Sequence, residues 1–203
     1  VNSSFLSLPD GMPIVWMLNW GRKKKLNDRI YGPELVLRIC KQAEVCGWSC
    51  FFYGGTEASL ELMVKNLKIQ FPKLKIVGSI SPPFRDLSHA ENDENHAYIN
   101  KSFPDIVWVG LGSPKQDMWM HEHGAFIKAN ILHGVGAAFD FISGSKKQSP
   151  KFFMDNGLEW LFRLITEPRR LWKRYLIGNS KFIIYLIHTF LKEHLFFNKK
   201  RVG

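Results

Sequence analysis

The chain has 203 residues, 45% of them hydrophobic, which suffices for one sizeable core and an appendage but not for two full enzyme domains. Its formal net charge of +10 is unevenly placed: residues 151–203 hold 11 Lys+Arg against 4 acidic residues, net +7, and residues 1–150 hold 17 against 14, net +3. The longest apolar run, 182–191, contains His188 and falls far short of the roughly 20 residues a membrane span needs, while Cys40, Cys46 and Cys50 fit neither a zinc nor a disulfide pattern and read as reduced core thiols.

Leu35, Val36, Ile39 and Ala43 fall at helical spacing and Gly47 follows as a stop, which predicts a helix over 31–44. Residues 49–53 read as a buried strand, Gly54-Gly55-Thr56 as a turn, 57–70 as a helix and 74–80 as the next strand, closed by Pro82-Pro83. A polar helix is expected over 91–102 and an apolar strand over 105–111. A helix over 115–127 should follow, with Pro114 near its first turn where the missing N–H does no harm, and then a strand over 131–135. Strands and helices alternating at this spacing imply a Rossmann-like α/β fold, a parallel sheet with helices on both faces and ligands at the carboxyl ends of the strands.

Beyond Gly144 the composition shifts to a polar linker over 145–150, followed by helices expected over 151–157, 158–175 and 180–197. We therefore expect an α/β domain over 1–150 and a basic, amphipathic helical appendage over 151–203. In the run Glu159 to Tyr175, Trp160, Leu161, Phe162, Leu164, Ile165, Leu171 and Trp172 alternate with basic residues. So much apolar surface beside cations suits an anionic membrane better than nucleic acid, which is not expected as a partner.

Two glycine loops stand at strand carboxyl ends. Gly112-Ser113-Pro114-Lys115-Gln116-Asp117 would bring Lys115 and Gln116 to a substrate crevice, where the Gln116 amide can both donate to and accept from a sugar. In Gly134-Val135-Gly136-Ala137-Ala138-Phe139-Asp140, Gly136 would permit close approach of a nucleotide and Asp140 could accept from its hydroxyls or base. Gly54-Gly55-Thr56 could present N–H groups to a phosphate or merely close its turn. His121 and His123, two apart, point to different sides of a helix and read as surface residues, not as a ligand pair.

Together with Pro9-Asp10-Gly11 and the Glu-Trp-Leu-Phe-Arg-Leu and Glu-Pro-Arg-Arg elements at 159–164 and 167–170, these motifs resemble, in order and spacing over nearly the whole chain, the WecG/TagA/CpsF family of bacterial glycosyltransferases. The resemblance implies transfer of an N-acetylmannosamine, N-acetylmannosaminuronate or glucose-type sugar from a UDP-sugar to a polyprenyl-diphosphate-linked saccharide. It implies a peripheral protein at the cytoplasmic face of the inner membrane, with a homo-oligomer as one expectation. Asp10 falls where the family has its proposed general base, and Arg29 where the family has an Arg before a Gly-containing helix start; there it would hold the diphosphate and stabilise the leaving UDP. On the appendage, Arg163 and Arg170 match the family pattern best as diphosphate contacts, followed by Lys173 and Arg174. No Asp-x-Asp occurs, so a reaction without metal or cofactor is expected. The chain departs from the family at Asp117, where Glu is usual, and at Gln148-Ser149-Pro150, where Arg-Ala-Pro is common. It begins at Val1, close before Pro9-Asp10-Gly11, whereas the family has further elements there, so a fragment is expected. A Rossmann-type oxidoreductase would need GxGxxG, which is missing from the sequence, and a purely basic binding module would leave the glycine loops idle.

Overall fold

The computed structural model describes residues 4–20 and 22–201, excepting the side chains of 170, 174 and 189–201. In chain order the first unit, 1–148, contains α1 (Met12–Asn19), α2 (Gly32–Cys46), β1 (Ser49–Gly54), α3 (Glu57–Gln70), β2 (Lys75–Ile80), α4 (His89–Lys101), β3 (Ile106–Gly110), α5 (Lys115–His123), a 3-10 turn (Gly124–Phe126), β4 (Ile131–Gly134) and α6 (Ala138–Ser143). The second unit, 149–203, contains α7 (Lys151–Asp155), α8 (Glu159–Thr166) and α9 (Pro168–Arg201).

All neighbouring strands pair in parallel, in the order β2-β1-β3-β4. Strand residues alternate between two buried clusters, as the period of two demands. Cys50, Phe52, Ile106 and Trp108 pack with Val36 and Cys40 of α2, Leu60 and Met63 of α3, and Phe139 of α6. Phe51, Tyr53, Val107 and Val109 pack with Ile99 of α4 and Trp119 of α5. Helices therefore cover both faces, which is why β1 and β3 are apolar almost without interruption. The chain leaves β1 for β2 through α3 on one face and returns across β1 to β3 through α4 on the other, so the winding reverses between β1 and β3.

The amino end of the sheet is clamped. The Asp105 carboxylate accepts from the Ser49 backbone N–H and from its hydroxyl, both at 2.8 Å, and from the Asn130 amide at 3.2 Å. The hydrogen bonds from Ser49 hold the Asp105 carboxyl below its ordinary pKa.

Several expected elements differ. The helix expected over 115–127 ends at His123 and tightens into the 3-10 turn. The helix expected over 158–175 is broken, because Pro168 drives the preceding residue out of helical geometry: Glu167 has φ −132° and ψ 57°. Past that break α9 runs without interruption through 176–179, where a gap was expected. Cys40 and Cys50 are buried but Cys46 is exposed, so only two of the three thiols belong to the core. Neither α1 nor α6 was expected. Among the described residues no helix is long and apolar enough to cross a membrane.

Candidate active site

The carboxyl ends of β1 and β3 meet at two glycines. Gly54 has φ 129°, and a Cβ on it would lie 2.6 Å from the Gly110 carbonyl; a Cβ on Gly110 would lie 2.7 Å from the Phe139 ring. Only two residues without side chains let the strand ends and α6 approach this closely. The turn that follows spends its donors internally: Gly55 N–H bonds Gly110 O at 3.1 Å and Thr56 N–H bonds Ser59 Oγ at 3.0 Å. Ser81 Oγ, beyond β2, donates to Gly55 O at 2.9 Å. Gly54-Gly55-Thr56 thus closes the strand end and caps α3.

Beyond β3, Gly112 has φ 78°, the Ser113–Pro114 bond is cis, and Ser113 Oγ donates to Asp117 Oδ2 at 2.8 Å. Lys115, the first residue of α5, is exposed. Gln116 is buried, and its Oε1 accepts the Gly136 N–H at 2.8 Å. Gly136 has φ 56°, so the β4–α6 turn is bent back into this bond. Gln116 therefore ties the loop after β3 to the loop after β4. Asp140, in the first turn of α6, pairs with Lys146 at 2.6 Å, and its carbonyl accepts from Ser143 and Ser145.

One backbone bond, Ile30 N–H to Pro9 O at 2.8 Å, joins the segments that carry Asp10 and Arg29. The start of α2 is in turn pressed on the β4–α6 loop: a Cβ on Gly32 would lie 3.1 Å from Val135 O, and Tyr31 meets the Phe141 ring at 6.2 Å. The Arg29 guanidinium lies over the Tyr31 ring at 4.6 Å, while its backbone N–H donates to Asp28 at 2.7 Å. The segment that carries Arg29 thus adjoins the β4–α6 loop, at the end of the sheet where doubly wound proteins bind ligands.

In the C-terminal unit Arg163 pairs with Glu159 at 2.7 Å within α8, and Lys173 Nζ lies over the Trp172 ring at 5.4 Å. Arg170 and Arg174 belong to α9, and their side chains lie outside the described ones.

Sequence reasoning missed a cluster on the α4/α5 face. His96 Nε2 and His123 Nδ1 are 3.1 Å apart, His96 stacks on Phe126, His123 lies against Trp119, and Trp119 stacks on Tyr53 at 4.3 Å. His123 is therefore half-buried, whereas His121 is exposed. Burial, and for His96 also the neighbouring His123, lowers both imidazole pKa values; burial lowers that of His133 as well and pushes the Tyr53 phenol up to about 12. The partners are 27 residues apart, and the single sequence signal was His96 three places from Ile99 in an otherwise polar helix. Among the described residues no three His, Cys, Asp or Glu side chains are grouped as metal ligands.

Strand order and glycine loops together define a doubly wound α/β protein whose winding reverses between β1 and β3. The chain belongs to the glycosyl transferase WecG/TagA/CpsF family, whose model matches residues 1–195. It is similar to the N-acetylglucosaminyldiphosphoundecaprenol N-acetyl-beta-D-mannosaminyltransferase of Bacillus spizizenii, 32% identical over 176 residues, which cover 87% of this chain and 66% of that protein. The protein of the same description from Bacillus subtilis is 30% identical with the same coverage, and that of Staphylococcus aureus 28% identical over 193 residues, 95% of this chain and 71% of the relative. The chain thus spans just under two thirds of the length of the Bacillus relatives, at 66%.

Proposed function

We propose that the chain is a UDP-sugar-dependent hexosyltransferase that moves N-acetylmannosamine onto the N-acetylglucosamine of a polyprenyl-diphosphate-linked acceptor, with inversion at the anomeric carbon. Family membership and the relatives' names support the reaction class and the acceptor. The observation that supports the reading is the Pro9–Ile30 backbone bond, which joins the segments that carry Asp10 and Arg29. In the proposed step an acceptor hydroxyl oxygen attacks the anomeric carbon and the bond from that carbon to the UDP oxygen breaks. UDP leaves with the electron pair, and Asp10 takes the hydroxyl proton. Arg29 stabilises the charge that grows on the departing diphosphate, and Arg163, Arg170, Lys173 and Arg174 add to it, in a reaction that uses no divalent metal. Gly112, Pro114, Lys115, Gly136 and Asp140 shape the UDP-sugar subsite, with Gln116 holding two of its loops together.

The setting proposed is the cytoplasmic face of the membrane, where residues 151–203 hold the protein peripherally. Asp10→Asn tests the chemistry: the amide keeps the carboxylate's shape but cannot take the proton. UDP release in the presence of acceptor should fall about 100 to 10,000-fold, with UDP-sugar affinity nearly intact. Turnover at the unmodified rate would remove Asp10 as the base.

A further inference from the structure

Helix α1 reads Met-Pro-Ile-Val-Trp-Met-Leu-Asn, without a charged side chain, and Val15 alone of it is buried. A helix apolar on every side is stable in water only when something covers it. Yet Ile14, Trp16 and the C-cap residue Trp20 are 38%, 51% and 68% exposed. Trp16 and Trp20, four apart, share one side of the helix.

Four cations follow at once: Arg22, Lys23, Lys24 and Lys25 are all exposed, and no acidic residue occurs from Gly11 to Asn27. Asn19 closes this loop, because its Nδ2 donates to Leu26 O and its Oδ1 accepts the Leu26 N–H, both at 2.7 Å. The clasp keeps the cations at the end of the apolar helix instead of letting them trail. Trp16, Asn19, Trp20, Arg22, Lys23 and Lys25 line an open cavity of about 660 Å³.

We infer that α1 and the 22–25 loop form a membrane-docking surface of the α/β unit itself, separate from residues 151–203, whose partner is an anionic bilayer. Charge complementarity identifies the partner: indole rings settle at the boundary of headgroups and acyl chains, and clustered Lys and Arg are attracted to anionic headgroup phosphates just outside it. An acidic protein partner would supply the charge but gives no reason for two exposed indoles and an uncharged helix beside the cations. The inference rests on the proposed function for the presence of a lipid-linked substrate. Such a surface would seat Asp10, two residues before α1, close to the plane in which that substrate lies.

The test uses the full chain and two variants, Lys23→Gln/Lys24→Gln/Lys25→Gln and Trp16→Ser/Trp20→Ser, with vesicles of phosphatidylcholine containing about one third phosphatidylglycerol and vesicles of phosphatidylcholine alone, free of donor and acceptor. At low salt the lysine variant should lose on the order of 100-fold in partition onto the anionic vesicles, at about fivefold per removed cation. It should change little on the neutral vesicles. The tryptophan variant should lose about tenfold on the anionic vesicles. Both should keep kcat and KM for a short-chain, soluble acceptor within about twofold. The lysine positions are exposed and carry no packing, so that variant reports even where the tryptophan variant fails to fold. Unchanged partition of the lysine variant overturns the inference. So does a raised KM for the soluble acceptor with partition unchanged, which would assign the cleft to the acceptor's diphosphate. A full chain that binds vesicles through this patch yet never turns over acceptor refutes the proposed function and leaves the docking surface standing.

Discussion

The two units of the chain solve the problem of apolar surface in opposite ways. In the α/β unit, strand residues that alternate in direction find a helix on either face, and Phe51, Phe52, Tyr53, Val107 and Trp108 are buried completely or nearly so. In the C-terminal unit Leu171 is the one buried hydrophobic side chain among the described residues, while Phe152, Trp160, Ile165, Trp172, Leu176 and Ile177 are exposed. The first unit buries the apolar residues of its strands within itself. The second displays its apolar residues beside a net charge of +7, from 11 cations and 4 acids, the combination on which its proposed attachment to a membrane rests.

The strongest way to break this contrast is to remove residues 151–203. If the α/β unit owes its stability to its own two clusters, its thermal transition should stay cooperative and move by only a few degrees. Partition onto anionic vesicles should fall more than about 1,000-fold, since seven net charges at about 1 kcal/mol each are lost together with the tryptophans. Transfer to a soluble acceptor should fall as well, because Arg163 and Arg170 are proposed to contact the diphosphate. Full transfer without 151–203 would reduce the segment to an anchor, and collapse of the thermal transition would show that the α/β unit depends on it. High salt should strip the full chain from the vesicles.

Within the α/β unit the contrast predicts intolerance where the strand ends converge. Gly54→Ala puts a Cβ at 2.6 Å from the Gly110 carbonyl in a backbone with φ 129°, which should cost about 2–4 kcal/mol in chemical denaturation. A loss below about 1 kcal/mol would mean that the strand ends can part.

A smaller effect is expected from Gln116→Met, which keeps the volume but leaves the Gly136 N–H without its 2.8 Å acceptor. The unpaired donor should cost about 1–3 kcal/mol of stability. If the bond also holds the loop in its ligand-binding shape, KM for the UDP-sugar should rise several-fold while kcat changes less. A fall in kcat alone would argue that Gln116 touches the reacting groups.

How far the sequence disclosed this arrangement depended on the range of the contacts involved. The helix from Glu57 to Gln70 was legible because its signals are local: Thr56 caps it and Leu60, Met63 and Leu67 recur at helical spacing. Helix α1 was not, since a helix apolar on every side has no periodic face to read, and α6 was hidden in a glycine motif that reads as a loop. The break at Pro168 was written in the sequence, for a proline inside a helical pattern ends it, but the amphipathic pattern on both sides outweighed that signal. At the site, glycines after strands marked the loops. The tie from Gln116 to Gly136, 20 residues away, and the pairing of His96 with His123, 27 residues away, depend on which strands become neighbours, and local patterns do not encode strand order.

The least dramatic prediction concerns those histidines, and it separates the packed unit from the exposed one by pH. Burial lowers the pKa of His96, His123 and His133, so near neutrality each is uncharged in the folded chain. Unfolding returns each imidazole to its ordinary value of about 6.5, and below that pH the unfolded state binds more protons than the folded one. The stability they contribute is therefore fully present above about pH 7 and is lost as pH falls through 6.5 toward their folded values, at no more than about 1.4 kcal/mol per pH unit for each group. Denaturation midpoints of the full chain measured from pH 7.5 to 5 should decline accordingly. In His96→Asn the decline should flatten, because that change removes one buried imidazole. The helical content of residues 151–188, which include none of these three histidines, should not follow the same curve. A midpoint that rises as pH falls would mean that the His96–His123 pair is stabilised by a shared proton, and the sign of the argument would reverse.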